Sequence, residues 1–347
     1  MTKSTPEADH HVLITGGAGY LGSVVTGALL QCSYHVTVVD DLLFGGESLL
    51  AYFGNPRLHF LKADVCQPGV LKRALQVSAK EGAPPPTALI HLAAMVGFPA
   101  CQALGREAVW RVNVDSVRRM LDEVDRFGFE KLLFASTYSV YGIAPNGEPV
   151  NEETPLNPQS LYAESKIAAE GFIKIAAQEI HCAPLIFRLA TLFGVSPRMR
   201  FDLIINQFVL EAFSQSELLI FQGDYSRSFV HIEDIVDGVK LGLDAPREKI
   251  SGRIFNLGSQ RGNYTKDEVV SLIQEVLPET TVCYKELDFR QDMRDVRVSY
   301  ERAELELGFN VQRSVSQGIN DVLHLLRSGL ISDPYSEKYR NAPSIVQ

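Results

Sequence analysis

A tyrosine and a lysine four residues apart, Tyr162 and Lys166, are well suited to proton transfer. At that spacing on a helix, both side chains lie on one face. A free phenol has a pKa near ~10 and is a poor base at neutral pH. A neighbouring ammonium group favours the phenolate. The pair can therefore act as a proton acceptor, although the same spacing also occurs in pairs on solvent-exposed helix faces.

A predicted strand that ends in hydroxyl groups precedes this pair in the chain. The run Lys131–Ser136 is mostly apolar, and Thr137, Tyr138 and Ser139 follow it directly. Hydroxyl groups at the end of a strand can hold the oxygen atom of a reacting alcohol. Their position before Tyr162 favours a reaction site over a surface pair.

A glycine-rich turn near the N-terminus predicts a site for a dinucleotide. The predicted strand Val12–Thr15 runs into glycines at 16, 19 and 22, and a helical pattern follows from Tyr20 to Gln31. Gly16 permits backbone angles closed to other residues, Gly19 leaves room for a pyrophosphate, and Gly22 allows close packing of helix and strand. The N–H groups of the first turn, at Tyr20 and Leu21, then form an anion site.

The second predicted strand, Val36–Asp40, ends in an acid where a dinucleotide fold places its ribose-binding carboxylate, roughly 20 residues after the glycines. A carboxylate accepts hydrogen bonds from the ribose hydroxyls and repels a 2′-phosphate. Asp40 therefore favours NAD over NADP, and Asp41 could share this role. The alternative is that Asp40 only caps the strand.

Two weaker signals occur at the ends of the next predicted strands. Asp64 and Val65 follow Leu58–Lys62, where such a pair can meet the adenine amino group. Leu92, Ala93 and Ala94 follow His91, and small residues suit a backbone that lies beside a ribose. Both groups fall at the carboxyl ends of strands, where open α/β sheets bind ligands.

The composition excludes several classes of protein. The chain has 347 residues and a formal net charge of −9, without a lysine- and arginine-rich stripe, which argues against nucleic acid as the main partner. The five cysteines show no CxxC pair, so we expect neither a disulfide framework nor a metal site, and reduced thiols fit a cytoplasmic protein. The polar start of the sequence is not a signal peptide, and no apolar run is long enough to span a membrane.

Alternation of short apolar runs with amphipathic segments predicts an α/β protein with a Rossmann-type, doubly wound parallel sheet. We expect the NAD-binding domain to cover residues 1–190, with later crossings back into it. The remaining predicted strands of this domain are Ala88–Leu92 and Leu185–Leu189. Its remaining predicted helices lie near 68–80, 105–127 and 161–180.

Beyond residue 190 the segments become shorter, which predicts a smaller mixed α/β lobe for the substrate over residues 191–330. Residues 331–347 form a polar C-terminal segment, and we expect a flexible tail or one that lies on a neighbouring molecule. The predicted helices beyond residue 190 are Arg198–Phe213, Glu233–Leu243, Lys266–Val276 and Val315–Arg327, and the predicted strands are Leu218–Phe221, Phe229–Ile232 and Ile254–Leu257, with several chain crossings between the two lobes.

These motifs together resemble the extended short-chain dehydrogenases/reductases, and within them the NAD-dependent epimerase/dehydratase family that acts on sugar nucleotides. Thr15–Gly22 is similar to the TGxxGxxG turn of the family, and Tyr162 with Lys166 to its YxxxK pair. The resemblance implies that Thr137 hydrogen-bonds the reacting sugar oxygen. It also implies a homodimer formed through the helices near 105–127 and 161–180.

The resemblance also implies residues that bind the substrate. Arg227, in RSFVH, falls where the family arginine usually meets the nucleotide diphosphate, and Arg294 falls where a second such arginine is usual. Thr191 replaces the Asn that commonly contacts the sugar or nucleotide. A diphosphate needs cations with fork geometry, so the arginines have an independent physical argument. The predicted substrate-binding residues are Thr137, Tyr138, Ser139, Thr191, Arg198, Arg200, Asn206, Arg227 and Arg294.

The expected activity is oxidation and reduction at C4 of a sugar linked to UDP, GDP, CDP or dTDP, with NAD as cofactor. A 4-epimerase that works through a transient 4-keto sugar is favoured, and a net C4 dehydrogenase or reductase of a (deoxy)sugar or heptose stays open. Family members that remove water across C5 and C6 carry an Asp-Glu pair where this chain has Tyr138 and Ser139, so 4,6-dehydration is disfavoured. An inactive NAD-binding scaffold is the alternative of another class. We expect Cys101 to be a buried structural thiol rather than a nucleophile.

Overall fold

The structure is a computed structural model that describes residues 10–144, 148–285 and 295–341. Its strands are His11–Thr15 (β1), His35–Asp40 (β2), Leu58–Lys62 (β3), Ala88–His91 (β4), Lys131–Thr137 (β5), Ala183–Leu189 (β6), Thr191–Phe193 (β7), Glu217–Phe221 (β8), Ser226–His231 (β9), Arg253–Leu257 (β10), Asn263–Thr265 (β11) and Thr281–Lys285 (β12). Its α-helices are Tyr20–Gln31 (α1), Val70–Lys80 (α2), Phe98–Trp110 (α3), Ser116–Val124 (α4), Leu161–Ala176 (α5), Ile204–Gln215 (α6), Ile232–Asp244 (α7), Arg247–Ile250 (α8), Lys266–Val276 (α9) and Val315–Arg327 (α10).

Seven of the described strands form one parallel sheet in the order β10-β6-β5-β4-β1-β2-β3. The chain runs outward from β1 through β2 to β3, then returns to place β4 on the other side of β1. This reversal opens a crevice at the carboxyl ends of β1 and β4, where doubly wound sheets bind ligands. The predicted Rossmann-type α/β fold is confirmed.

The sheet is buried on both faces, which explains its nearly continuous apolar strands. In β1, Val12 and Ile14 pack into the core on one face, and Leu13 packs into the core on the other. Because side chains alternate along a strand, one short run supplies both cores. The polar groups that remain at the strand ends are therefore free to face the crevice.

The smaller lobe has a separate apolar core and two short sheets. One has the order β11-β9-β7, and the other pairs β12 with β8. Helices α6, α9 and α10 pack around this core, with Phe201, Ile205 and Ile319 among its fully buried residues. The strand β10, in contrast, pairs with β6 and extends the large sheet, as a later crossing back into the first domain would.

The predicted helix over 105–127 is interrupted in the structure. Gly105 has a φ of +79° inside α3, and a π-helical turn covers Arg111–Asp115 before α4 begins. A positive φ is accessible to glycine but breaks helical geometry. The amphipathic pattern therefore continues across a kink that the periodicity does not reveal.

The predicted helix over Arg198–Phe213 begins six residues later, at Ile204. Residues 198–203 instead form a loop that hydrogen-bonds to the C-terminal segment, with the N–H of Phe201 donating to Tyr339 O at 2.9 Å. The Phe201 and Tyr339 rings meet edge to face, 5.9 Å apart. The expectation of a flexible or intermolecular tail is therefore wrong for the described part of that segment, which packs on its own chain.

Candidate active site

A deep cleft runs along the carboxyl ends of β1 to β6 and is closed on its far side by the loops of the smaller lobe. Most of the sequence-predicted site residues line it. They are Gly16, Gly19, Tyr20, Leu21, Asp40, Asp64, Val65, Leu92, Ala93, Ala94, Thr137, Tyr138, Ser139, Tyr162, Lys166, Thr191, Arg198 and Arg200. The topology thus brings together residues that are up to 184 positions apart in the chain (200 minus 16).

The glycine turn has the geometry that the sequence predicts. Gly16 has a φ of +74°, and its N–H donates to Val39 O at 2.8 Å. A methyl group on Gly22 would lie 2.0 Å from Gly16 O, so the helix could not approach the turn. Gly19 lines the cleft, and an added methyl group there would meet only Gly16 O within 4 Å, at 3.2 Å. The space in front of Gly19 thus suits a phosphate group against the start of α1.

Asp40 is fixed at the end of β2 by two backbone donors. Its Oδ2 accepts from Ala18 N at 3.0 Å and its Oδ1 from Leu42 N at 2.8 Å. Burial raises the pKa of Asp40, and the two N–H groups oppose that shift. Each carboxylate oxygen keeps a further lone pair for a ribose hydroxyl. Asp41 also lines the cleft but accepts only from Leu43 N, at an exposed position.

Asp64 lies further along the same edge, after β3. It accepts hydrogen bonds from Cys66 N and from Arg111, each at 2.8 Å. Burial works against the charged form, but these donors outweigh it and lower the pKa of Asp64. These bonds fix the carboxylate where Asp64 and Val65 line the cleft beside β3, the position predicted to meet the adenine. Arg111, on the π-helical turn, was not predicted from sequence.

The residues predicted for catalysis meet at the opposite end of the cleft. Thr137 is the last residue of β5, and α5 carries Tyr162 in its first turn and Lys166 one turn later. Ser160 caps this helix by accepting from Ala163 N at 3.2 Å. The Lys166 ammonium donates to Ala135 O at 2.8 Å and lies 4.6 Å from the Phe134 ring centroid. Burial lowers the pKa of Lys166 to about 8.

A buried network that the sequence did not reveal holds α5 against β5 and β6. Glu170, on α5, binds Arg188 through two hydrogen bonds of 3.0 and 2.6 Å and accepts from Ser136 at 2.5 Å. Arg188 also donates to the Tyr141 hydroxyl at 2.9 Å. Both charged side chains are almost fully buried. Since Ser136 directly precedes Thr137, this network sets the separation between Thr137 and α5.

A second unpredicted contact positions the same helix from its other side. Asn113 donates to Ser165 at 2.9 Å, accepts from Met95 N at 2.8 Å and donates to Met95 O at 2.9 Å. The side chain thereby connects α5 to the loop that follows β4, whose residues line the cleft. Cys101 is buried nearby, and burial raises the pKa of its thiol to about 12, which fits the expected structural role.

Hydroxyl groups dominate the wall around the catalytic residues. Thr137 donates to the Ser139 hydroxyl at 3.0 Å, and Thr191 donates to the Tyr138 hydroxyl at 3.0 Å. The acidic residues among the described lining are Asp40 at the end of β2, Asp41 directly after it, and Asp64 after β3. Within the described residues, the end of the cleft near Thr137 and Tyr162 therefore has no carboxylate lining.

The structure separates the arginines and the amide predicted to bind substrate. Arg198 and Arg200 line the cleft. Arg227 is buried in β9, where its Nη1 donates to Ser226 O at 3.0 Å, and it is absent from the described lining of the cleft. Asn206 is fully buried and is used within the chain. Arg294 lies outside the described residues.

The contacts of Asn206 and Tyr20 show that these two residues join the lobes. Asn206 donates to the Tyr20 hydroxyl at 3.2 Å and to Arg200 O at 2.9 Å, and it accepts from Gly194 N at 3.1 Å. The Tyr20 hydroxyl donates to Gly194 O at 2.7 Å. The geometry therefore does not support Asn206 as a substrate contact, and the phenol group of Tyr20 faces the smaller lobe.

Further lining residues had no clear signal in the sequence. Phe44 belongs to the loop after β2, Gln159 precedes the cap of α5, and Asn341 reaches the cleft from the C-terminal segment. Phe44 comes soon after Asp40 and Gln159 shortly before Tyr162, so proximity in sequence could have suggested them. Asn341 depends on a contact across the whole chain.

Neither a metal-binding cluster nor a helix able to cross a membrane occurs among the residues described.

The fold and the cleft together define a Rossmann-type α/β protein with a glycine-rich turn at one end of its cleft and a tyrosine–lysine pair at the other. The model of the NAD dependent epimerase/dehydratase family matches residues 12–258. The chain belongs to this family, and it is an NAD-dependent enzyme that acts on nucleotide sugars. The predicted family, its cofactor and its substrate class are confirmed at this level.

Relatives with different reactions are similar to the chain. An uncharacterized UDP-glucose epimerase, YtcB of Bacillus subtilis, is 29% identical over 274 residues, which cover 76% of this chain and 81% of the relative. UDP-glucuronic acid decarboxylase 1 of Xenopus tropicalis is 25% identical over 330 residues, with coverages of 92% and 72%. The UDP-glucuronic acid 4-epimerase of Bacillus cereus, solved with UDP-glucuronic acid and NAD, has a TM-score of 0.80 at 22% identity and coverages of 92% and 99%, which shows the shared fold.

Proposed function

We propose that the protein is a nucleotide-sugar 4-epimerase that works through a transient 4-keto sugar. The observation that carries this proposal is the grouping of Thr137, Tyr162 and Lys166 at the end of the cleft opposite Asp40 and Asp64. A dinucleotide that spanned the cleft from the acids would have its nicotinamide end near these three residues. The family includes other reactions, so the composition of the catalytic end decides between them.

The described residues suit NAD. The open space at Gly19 and the oriented carboxylate of Asp40 match the pyrophosphate and the adenosine ribose, while Lys166 stands where it can bind the nicotinamide ribose. When bound, NAD⁺ accepts a hydride from C4 of the sugar and can return it. The protein supplies the position of the alcohol and the path of its proton.

Each catalytic residue has one proton-linked task in this proposal. Tyr162 removes the proton from the 4-hydroxyl as C4 loses its hydride, and Thr137 donates a hydrogen bond to the same oxygen. Lys166 favours the phenolate through its positive charge. After the keto sugar turns over in the pocket, Tyr162 returns the proton to the oxygen while C4 is reduced on its other face. Cofactor and protein then end in their starting states.

The lining of the catalytic end favours epimerisation over 4,6-dehydration. Dehydration needs an acid to protonate the leaving 6-hydroxyl and a base to remove the C5 proton. The residues after Thr137 are Tyr138 and Ser139, and their hydroxyls are weak in both tasks at neutral pH. Epimerisation needs only the proton acceptor that Tyr162 provides.

Incubation with UDP-, GDP-, CDP- and dTDP-sugars, with and without added NAD⁺, tests the reaction type. Conversion between C4 epimers without net NADH supports the epimerase. Accumulation of NADH or of a free keto sugar would replace it with a net dehydrogenase, and release of CO₂ from a nucleotide-linked uronic acid would replace it with a decarboxylase. Absence of turnover across the panel with bound NAD would favour the scaffold.

Tyr162→Phe tests the assignment of the base. Because general acid–base catalysis contributes about 10²–10⁴-fold, we expect kcat to fall by that factor while NAD binding is kept. Tyr335→Phe, at an exposed tyrosine, is the matched control and should keep full activity. A Tyr162→Phe enzyme with unchanged kcat would rule out the proposed proton acceptor.

Arg227 and Arg294 remain the proposed diphosphate contacts. Asp295 accepts from Ser226 N at 2.9 Å, so the chain next to Arg294 runs beside the start of β9.

We also propose a homodimer. The apolar residues Leu104 on α3 and Ile175 on α5 are 49% and 62% exposed. Burial of these two helices against a second copy would cover them. Analytical ultracentrifugation that finds only monomer at micromolar concentration would contradict the dimer.

A further inference from the structure

Arg198 has an unusual environment for a residue expected to meet the substrate. Its side chain is only 6% exposed, and its guanidinium lies 4.3 Å from the centroid of the Phe44 ring. Phe44 follows β2, four residues after Asp40, so Arg198 reaches across the cleft to its adenosine side. The loop of the smaller lobe thereby delivers a buried cation to the cofactor half of the cleft.

The backbone before Arg198 is attached to the start of α1. Ser196 donates to Tyr20 O at 2.7 Å and pairs with Ser23 at 3.2 Å, and it accepts from Arg198 N at 3.2 Å. Only one residue separates Ser196 from Arg198. The arginine is therefore anchored beside the first turn of α1, the end of the helix at which a pyrophosphate is stabilised.

The neighbouring arginine differs in its partners. Arg200 forms two hydrogen bonds to Asp202, at 2.9 and 2.8 Å, so a carboxylate compensates its charge within the chain. Arg198 donates through Nη2 to Arg340 O at 3.1 Å, which is a neutral acceptor. Its Nε is buried and has no hydrogen-bond partner among the described residues.

A buried guanidinium with an unused donor is costly unless an anion reaches it. Burial, reinforced by the nearby Arg200, lowers the pKa of Arg198 to about 10, and the charges of Asp202 and Asp40 oppose this shift only in part. Arg340 O and the Phe44 ring hold the side chain in place without neutralising it. The arrangement is that of a preformed anion contact, and pyrophosphate is the anionic part of NAD.

We infer that Arg198 binds the pyrophosphate of NAD, opposite the N–H groups of the first turn of α1. Its positioning depends on the C-terminal segment through Arg340 O, and this proposed role differs from the substrate contact predicted from the sequence. The inference concerns the cofactor and does not depend on which sugar or which reaction at C4 the enzyme has.

Calorimetric titration of the NAD-free full-length protein tests this inference with four ligands: NAD, ADP-ribose, adenosine and UDP. For Arg198→Ala we expect the Kd of NAD and of ADP-ribose to rise about 10- to 100-fold, the range for a lost hydrogen bond to a charged group. The Kd of adenosine and of UDP should stay within about twofold, since neither ligand places the cofactor pyrophosphate at Arg198.

Arg198→Lys and Arg327→Ala complete the set of variants. Lysine keeps the charge but loses the fork geometry, so its Kd for NAD should lie between wild type and Arg198→Ala. Arg327 is an exposed arginine at the end of α10, and its removal should change none of the four affinities. Circular dichroism checks that each variant is folded.

Three outcomes would overturn the inference. Unchanged affinity of both Arg198 variants for NAD and ADP-ribose would remove the contact. An equal loss for adenosine would assign Arg198 to the nucleoside or to the general shape of the cleft. A loss confined to UDP would return the residue to the substrate. If Arg198→Ala does not fold, the comparison of Arg198→Lys with wild type gives the same decision.

Discussion

The two walls of the cleft are built in different ways. The sheet wall consists of the carboxyl ends of β1 to β6 and helix α5, and parallel ladders and the buried pair Glu170–Arg188 hold it. The loop wall consists of residues 191–203 and Asn341, which belong to the smaller lobe and the C-terminal segment. There, side-chain to backbone bonds connect Arg198 with Arg340 and Asp202 with Asn341, pairs 142 and 139 residues apart.

This difference separates stability from ligand recognition. Buried ladders and a buried ion pair make the sheet wall part of the folding core, so damage there should lower the free energy of unfolding. A single hydrogen bond contributes only about 0.5–1.5 kcal/mol. Substitutions in the loop wall should therefore leave the fold intact and change the affinity for ligands. The predictions below test this division, in order of decreasing effect.

Removal of Glu170 should give the largest loss of stability. Glu170→Ala leaves the Arg188 guanidinium, 1% exposed, without its carboxylate partner. Breaking a buried ion pair in this way costs about 3–5 kcal/mol, because one charge remains buried and uncompensated. Chemical denaturation followed by circular dichroism measures the free energy of unfolding.

Glu306→Ala is the matched control for that experiment. Glu306 pairs with Arg253 at 2.5 Å, but the two side chains are 42% and 40% exposed. An exposed pair contributes about 0–1 kcal/mol, so the control should change stability little. An equal fall in the free energy of unfolding in the two variants would show that the buried pair Glu170–Arg188 does not stabilise the sheet wall more than an exposed pair does.

Acid should act on the sheet wall through His91. His91 ends β4, pairs with Thr15 at 2.7 Å and stacks on Phe134, and burial lowers its pKa to about 3. In the unfolded chain the pKa is near ~6.5, so between these values the unfolded state binds more protons. The stability due to neutral His91 is therefore complete above pH 6.5 and lost as the pH falls towards 3.

At pH 4.5 we expect His91 alone to lower the free energy of unfolding by about 3 kcal/mol, because this pH lies roughly two units below the unfolded pKa and each unit is worth about 1.36 kcal/mol. Denaturation curves at pH 7 and pH 4.5 should show that loss in the wild type, beyond the contribution of other groups. His91→Phe keeps a flat ring but cannot take up a proton. The difference in free energy of unfolding between pH 7 and pH 4.5 should therefore be about 3 kcal/mol smaller in this variant than in the wild type. An unchanged difference in His91→Phe would place the acid sensitivity elsewhere.

The sheet wall could be predicted from sequence because each of its signals is local. Gly16 directly follows β1, Asp40 ends β2 and Lys166 lies in α5, so an apolar pattern stands next to each, and regular connections bring the strand ends to one edge. Their arrival at one cleft follows from the topology, as the structure confirms. Their individual roles remain predictions, because position along a cleft does not identify the bound atom.

The loop wall could not be predicted for the opposite reason. The helix expected from Arg198 begins at Ile204, because Phe201 and Asp202 use their polar groups on Tyr339 and Asn341. Periodicity reports only contacts within a few residues, whereas this competition comes from the far end of the chain. The pairing of Glu170 with Arg188 was missed similarly, since two charged residues in apolar segments do not reveal that they face one another.

Tyr20→Phe should give the smallest effect, because this residue joins the two walls by a single hydroxyl. Tyr20 lies in α1, and its hydroxyl donates to Gly194 O at 2.7 Å. Asn206 also donates to Gly194 O, at 3.4 Å, so that carbonyl would keep one partner. We expect the free energy of unfolding to fall by about 1 kcal/mol. The KM for the nucleotide sugar should rise by at most about fivefold, because the loop wall loses one attachment.

The same variant distinguishes the two roles considered for Tyr20. If only its backbone faces the cofactor, the Kd of NAD should stay within about twofold of wild type, since the lost hydroxyl points to the smaller lobe. Tyr335→Phe, which removes an exposed hydroxyl that accepts from Gln215 at 3.0 Å, should change stability by less than about 0.5 kcal/mol. A clear loss of NAD affinity in Tyr20→Phe, with sugar binding unchanged, would place the phenol in the cofactor site.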